Sequence, residues 1–116
     1  MKQDLRQAIF NKYPYHCAYC GCKLTRDEFQ VDHIIPQYHH RLGLVEGDVV
    51  ESYDNLVATC AKCNNFKSAM TLEEFRIEIG KQVHRLRKNP QFDRALRYGL
   101  IQITEHPIVF YFEGLK

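Results

Sequence analysis

The chain has 116 residues, 45% of them apolar, and a formal charge of only +2. That length suggests one small domain, residues 1–116, with a modest core, and the charge excludes a wholesale polycation. No apolar run approaches the roughly 18 residues of a membrane span, and Met1-Lys2-Gln3-Asp4-Leu5 opens no long apolar stretch of signal-peptide type, so a cytoplasmic protein is expected.

Residues 2–12 read as a short helix, with Leu5, Ala8 and Ile9 at helical spacing and Asp4 as N-cap. Tyr13-Pro14 ends it, because the residue before a proline is pushed out of the helical region. Tyr15 to Thr25 forms a knuckle around Cys17 and Cys20, with Gly21 supplying the turn. Tyr13, Tyr15 and Tyr19 surround that knuckle, to pack on it or to stack on a base. Phe29 to Ile35 reads as a strand, with Val31, His33 and Ile35 on one face and Gln30, Asp32 and Ile34 on the other. Residues 37–53 show no clean periodicity. His39, His40 and Arg41 fall there, facing phosphates or solvent, and Glu46, Asp48 and Glu51 make the remainder acidic.

Leu56 to Thr59 is the returning strand of a hairpin, and residues 61–68 form a short helix. Thr71-Leu72-Glu73-Glu74 has the form of a capping box. Leu72, Phe75, Ile79, Val83 and Leu86 then mark one helix with a core-facing stripe. Asn89-Pro90 breaks it. Gln91 to Tyr98 is a further short helix closed by Gly99. Leu100–Thr104 and Ile108–Phe112 look like two strands of a C-terminal β-hairpin. Between Lys81 and Arg97 six basic residues stand against Asp93 alone, a candidate footprint for a polyanion or simply a solvated helix face. There is no internal repeat, low-complexity tract or flexible linker.

Five cysteines include two close pairs, Cys17-Ala18-Tyr19-Cys20 and Cys60-Ala61-Lys62-Cys63. In a cytoplasmic chain such pairs favour metal over disulfide. Four thiolates suit a structural Zn²⁺ in a closed tetrahedron, which has no open position for catalysis. Cys22 is left over, a small buried hydrophobe or an alternative ligand.

Between the pairs lies Val31-Asp32-His33-Ile34-Ile35-Pro36, where two polar residues sit in an apolar run and cost free energy unless partnered. Downstream come Asn55 in Asp54-Asn55-Leu56-Val57, then Cys63-Asn64-Asn65-Phe66-Lys67. Cys-x-x-Cys, Asp-His, Asn, and Cys-x-x-Cys-Asn-x-x-Lys, in that order over residues 15–70, resemble the HNH family of endonucleases, whose core is a β-hairpin and helix gripping one metal ion. The resemblance implies that Asp32 and Asn64 hold a catalytic divalent cation and that His33 activates water. It also implies that Asn55 bonds the loop backbone to hold His33, and that products carry 5′-phosphate and 3′-hydroxyl ends.

Elementary chemistry agrees. A free imidazole titrates near pH ~6.5 and can take a proton from water, while Asp32 and Asn64 offer hard oxygen donors. Where the family commonly has a histidine this chain has Asn64, which favours Mg²⁺ or Mn²⁺. Lys67, one helical turn after Asn64, faces the same phosphate or solvent. One geometric question stays open, because neighbours on a regular strand point to opposite faces. Asp32 and His33 share a phosphate only if the strand bends or if they act from opposite sides.

The expectation is therefore an α+β fold. It has a ββα-metal HNH core stapled by a four-cysteine zinc site (about 15–70), a helical segment (about 71–98) and a C-terminal β-hairpin (about 100–113). The function is metal-dependent hydrolysis of DNA by a nuclease of bacterial or phage-like context, with Lys81–Arg97 on the DNA backbone and no element that reads bases. The rivals are a non-enzymatic zinc module binding nucleic acid or protein, and a subunit active only in a larger phage or restriction assembly. A protein partner or dimer would then dock on an edge such as Phe110-Tyr111-Phe112.

Overall fold

A mostly polar strand, Gln-Val-Asp-His, and an apolar one, Leu-Val-Ala-Thr, make the one sheet among the described residues, 1–115, of the computed structural model. Strands β1 (Gln30–His33) and β2 (Leu56–Thr59) pair antiparallel, with Gln30 opposite Thr59, Val31 opposite Ala58, Asp32 opposite Val57 and His33 opposite Leu56. All four residues of β2 are buried. Helix α1 (Gln3–Lys12) packs on it. Phe10 stacks obliquely on Phe29, ring centroids 4.8 Å apart, and meets Tyr15 edge-on. Full burial of a side chain such as Phe10 contributes about 1.5–3 kcal/mol. Lys12 closes the helix by donating to the Tyr53 and Leu56 carbonyls. The N-cap is Lys2 without a side-chain bond; Asp4 instead lies in the first turn, where its charge opposes the helix dipole's positive end.

The stretch after β1 is more ordered than its pattern suggests. It holds α2 (Gln37–Arg41), α3 (Gly47–Val50) and a 3₁₀ turn at Tyr53–Asn55. Helices of five and four residues never complete two turns, so no periodicity can show in the sequence. Helix α4 (Ala61–Lys67) follows β2 directly and lies against β1.

The chain divides into two compact units: residues 1–72 together with the chain from Val109 onward, and Glu73–Ile108. The single helix expected after Thr71 is broken into α5 (Leu72–Gly80) and α6 (Gln82–Leu86). Gly80 costs about 1 kcal/mol in a helix interior, and the amide of Lys81 bonds Glu78 three residues back, tightening the turn. The apolar stripe is correspondingly uneven: Phe75 is buried but Leu86 is 45% exposed. Helix α7 (Pro90–Arg97) begins where Asn89-Pro90 predicts a break. Asn89 caps it by accepting from the amides of Gln91 and Phe92, and Gly99 closes it at φ +71°.

The expected C-terminal hairpin does not form. Residues 100–110 carry no strand, and Tyr111–Gly114 is a 3₁₀ turn. The backbone that would have paired within the hairpin is used elsewhere: Tyr111 and Phe112 donate their amides to the carbonyls of Tyr19 and Ala18 at 3.0 and 2.9 Å. An isolated two-stranded hairpin is marginal in water, and these bonds to the knuckle replace it. The docking edge imagined for Phe110-Tyr111-Phe112 goes with it.

Candidate active site

The knuckle is built by its own backbone. Cys17 donates to the Cys22 carbonyl, Gly21 to that of Cys17, and Leu24 to that of Tyr15, while His16 and Lys23 form an isolated bridge. Gly21 is required twice over. Its φ is +77°, and a Cβ there would meet the Tyr111 ring at 2.7 Å. The amide of Ala18 bonds the Ala58 carbonyl at 2.9 Å, fastening the knuckle to β2. The next residues along β2 bring up Cys60, whose sulfur caps α4 by accepting from the Cys63 amide.

The thiols of Cys17, Cys20, Cys22 and Cys60 therefore converge, their sulfurs all within 4.8 Å of one another, with Cys20 and Cys60 at 3.9 Å. A zinc tetrahedron with ~2.3 Å arms needs sulfurs about 3.8 Å apart, so this donor set fits such an ion. Cys63, expected as the fourth ligand, is not among these four, and Cys22 stands in its place. The Cys63 thiol bonds Cys17 and, ahead of backbone groups of Cys60, Cys20 and Tyr19, brings the Cys17 thiol down to about 4, against the burial that would raise it. Cys22 is exposed and stands within the group, not buried as a small hydrophobe. All five cysteines are free thiols.

At the other end of the hairpin, Asp32 is buried and doubly held through Oδ2. Tyr19 donates its hydroxyl at 2.6 Å and Lys67 places Nζ at 2.9 Å. Burial, then the Asp32 charge, drives the Tyr19 hydroxyl's pKa upward, so it stays a donor. Lys67 also donates to the His33 carbonyl at 3.0 Å. Its side chain is 1% exposed, so the ammonium is turned inward onto Asp32 and His33, not out toward solvent. The chain leaves α4 at Ser68 with φ +49°, a left-handed conformation strained for a non-glycine residue.

His33 ends β1. Its Nε2 lies 3.2 Å from Glu51 Oε1, and Gln37 Nε2 donates to the same oxygen at 3.0 Å. Asn55, itself buried, knits this region together. Its Oδ1 accepts from the Ile35 amide at 2.8 Å, and its Nδ2 donates to the carbonyls of Ile35 and Val50 at 3.1 and 2.8 Å. Its own carbonyl accepts from Ile34 at 2.9 Å.

Asp32 and His33 line one cleft of about 230 Å³ together with Gln37, Tyr38, Arg41 and Ser68. Although neighbours on a strand point apart, the strand stops at His33, and both reach the same cleft. Asn64 lies one turn before Lys67 on α4, and its amide donates to Gln30 Oε1. Helix α4 thus meets alternate residues of β1, Asn64 at Gln30 and Lys67 at Asp32, but Asn64 does not line the cleft. Arg41 does, while His40 is exposed and bonded to the Val45 carbonyl. The sequence reading missed Glu51 as a partner of His33 and Tyr19 as a partner of Asp32. No local pattern signals an 18-residue contact between acid and imidazole.

The basic segment is partly neutralised. Glu78, just before it, pairs with Lys81 at 3.5 Å and Arg85 at 2.8 Å, and Asp93 pairs with Arg97 at 2.8 Å. Arg87, Lys88 and Arg94 remain exposed.

With a two-stranded sheet, a following helix, a cysteine cluster and an Asp-His pair in place, the fold is HNH-like, of the ββα-metal type within an α+β chain. Residues 17–69 match the family model described as HNH endonuclease, so the likeness read from the sequence holds. Among solved structures the chain is similar to the Type II-C Cas9 enzyme from Actinomyces naeslundii, at 28% identity over 66% of this chain and a TM-score of 0.51. The chain spans about 7% of that protein's length. No curated protein matches it.

Proposed function

We propose that the chain is a metal-dependent endonuclease that hydrolyses DNA phosphodiester bonds in the cytoplasm, working as one HNH nuclease domain. The observation that supports this best is the placement of His33 and Asp32 on one cleft, with the backbone beyond His33 pinned by the Asn55 side chain.

His33 takes a proton from water. Asp32, oriented by Tyr19 and Lys67, would hold Mg²⁺ or Mn²⁺ at the cleft through its carboxylate. Asn64, bonded to Gln30 and outside the cleft lining, would have to turn its amide carbonyl toward the ion to join it. A divalent cation held there supplies positive charge at the leaving oxygen. The Lys67 role that fits its burial is to fix Asp32 and the His33 carbonyl. Arg41, on the cleft wall, meets the phosphate, and Lys81–Arg97 gives backbone affinity without base readout. Zinc at the cysteine cluster is structural.

The test is plasmid nicking with Mg²⁺. His33→Ala is expected to abolish cutting while DNA binding persists; equal cutting by this variant overturns the proposal. A second reading, a nuclease module inside a larger assembly, is favoured by one observation: Tyr98 and Leu100 are each 79% exposed. Activity that appears only with a partner in gel filtration would support it.

A further inference from the structure

A base must present a bare nitrogen to water, and a neutral imidazole has only one. Which one is decided by the partner of the other. At His33 the partner of Nε2 is the carboxylate of Glu51, 3.2 Å away. The Gln37 amide first, and then His33, hold the Glu51 carboxyl below its usual range, so it is an anion with no proton to give. Nε2 must therefore carry the hydrogen, which leaves Nδ1 bare.

Glu51 is placed for this by the fold. It caps α3, its amide bonding the Gly47 carbonyl at 3.0 Å. The residue before it, Val50, is buried, and its carbonyl is held by Asn55 Nδ2. The same Asn55 side chain holds both polar groups of Ile35. One amide thus ties down the backbone on the His33 side and on the Glu51 side together. Helix α3 is seated against α2 where Gly47 meets the His40 ring so closely that a Cβ would stand 2.9 Å from it. The loop that separates the two strands is, on this geometry, the mount for a carboxylate.

We infer that Glu51 is a positioning residue of the nuclease reaction, fixing the Nε2–H tautomer and tilt of the His33 ring and stabilising the imidazolium that forms. This rests on His33 being the base. Water gives its proton to Nδ1 as its oxygen bonds to phosphorus. The bond from phosphorus to the leaving oxygen breaks, its electron pair stays on that oxygen, and solvent protonates it. Glu51 stays ionised throughout, accepting from Nε2–H, and the imidazolium returns its extra proton to solvent.

The experiment combines nicking kinetics with nitrogen NMR of the His33 ring in the full chain. Glu51→Ala is expected to lower kcat about 10- to 100-fold, less than the roughly 10²- to 10⁴-fold that a general base contributes, with KM nearly unmoved. Glu51→Gln, whose amide oxygen still accepts from Nε2–H, restores part of the rate. The ring spectrum shows the Nε2–H tautomer in the native chain and in Glu51→Gln, and a mixture in Glu51→Ala. In a His33→Ala background, Glu51→Ala has no further effect. Glu51→Ala cutting at or above the native rate while His33→Ala is dead overturns the role of Glu51 alone; His33→Ala cutting normally overturns the base itself. The ring spectrum decides the positioning with or without cleavage, and an unchanged tautomer in Glu51→Ala refutes it.

Discussion

The hairpin-and-helix segment 17–69 and the helical unit 73–108 use polar side chains in opposite ways. In the first, polar groups are buried and join residues far apart in sequence: Tyr19 and Lys67 at Asp32, Asn55 at Ile35 and Val50. In the second, Glu73–Arg76, Glu78–Lys81 and Asp93–Arg97 are neighbours three or four residues apart on exposed or half-exposed helix faces, and the longer reach of Arg76 to the Ile108 carbonyl is the exception. Pairs of the second kind contribute little and are screened by salt. Buried ones are costly to break, because the group left behind has no water to turn to. Positional precision therefore lies in the first segment, and adaptable charge in the second.

Chelating the zinc expected at the cysteine cluster should break the comparison hardest. Structural zinc sites carry on the order of 10 kcal/mol of folding free energy, so the amides of β1 and β2 should lose their protection from hydrogen exchange. Persisting protection would mean that the thiols need no ion. Next, Lys67→Met should cost about 3–5 kcal/mol in a denaturant titration, since it strands the Asp32 carboxylate in the interior; a cost near that of a surface pair would deny the contrast.

Asn55→Ala should cost about 2–3 kcal/mol by leaving backbone groups of Ile35 and Val50 unpaired, and nicking should fall with it. Asn89→Ala, which removes only the cap of α7, should cost about 1 kcal/mol by the same titration. Smallest of all, Arg97→Gln should leave the unfolding midpoint in place. In a DNA-binding titration it should reduce the slope of log affinity against log salt by about one.

What could be read in advance follows the same division. Asp32, His33, Asn55 and the cysteine pairs were legible because packing does not require those residue types there. The hairpin between them was legible from its apolar runs. The partners of those residues were not, since Tyr19, Lys67 and Glu51 acquire their roles only when the chain closes. The C-terminal run misled for a physical reason: β-propensity says that a backbone wants extended partners but not which, and residues 111 and 112 found theirs at Tyr19 and Ala18. Likewise the stripe from Leu72 to Leu86 has helical period, yet period alone did not foresee the interruption at Lys81.

Those bonds from Tyr111 and Phe112 to the knuckle have a temporal consequence. A polypeptide leaves the ribosome from its N-terminus, so the thiol-bearing loop emerges long before the residues that clasp it. Until Tyr111 and Phe112 emerge, that loop lacks two of its backbone partners and the ring that covers Gly21, and is open to oxidants and stray metals. The nascent chain should become resistant to thiol-modifying reagents only once Tyr111 and Phe112 have emerged and bonded to Tyr19 and Ala18.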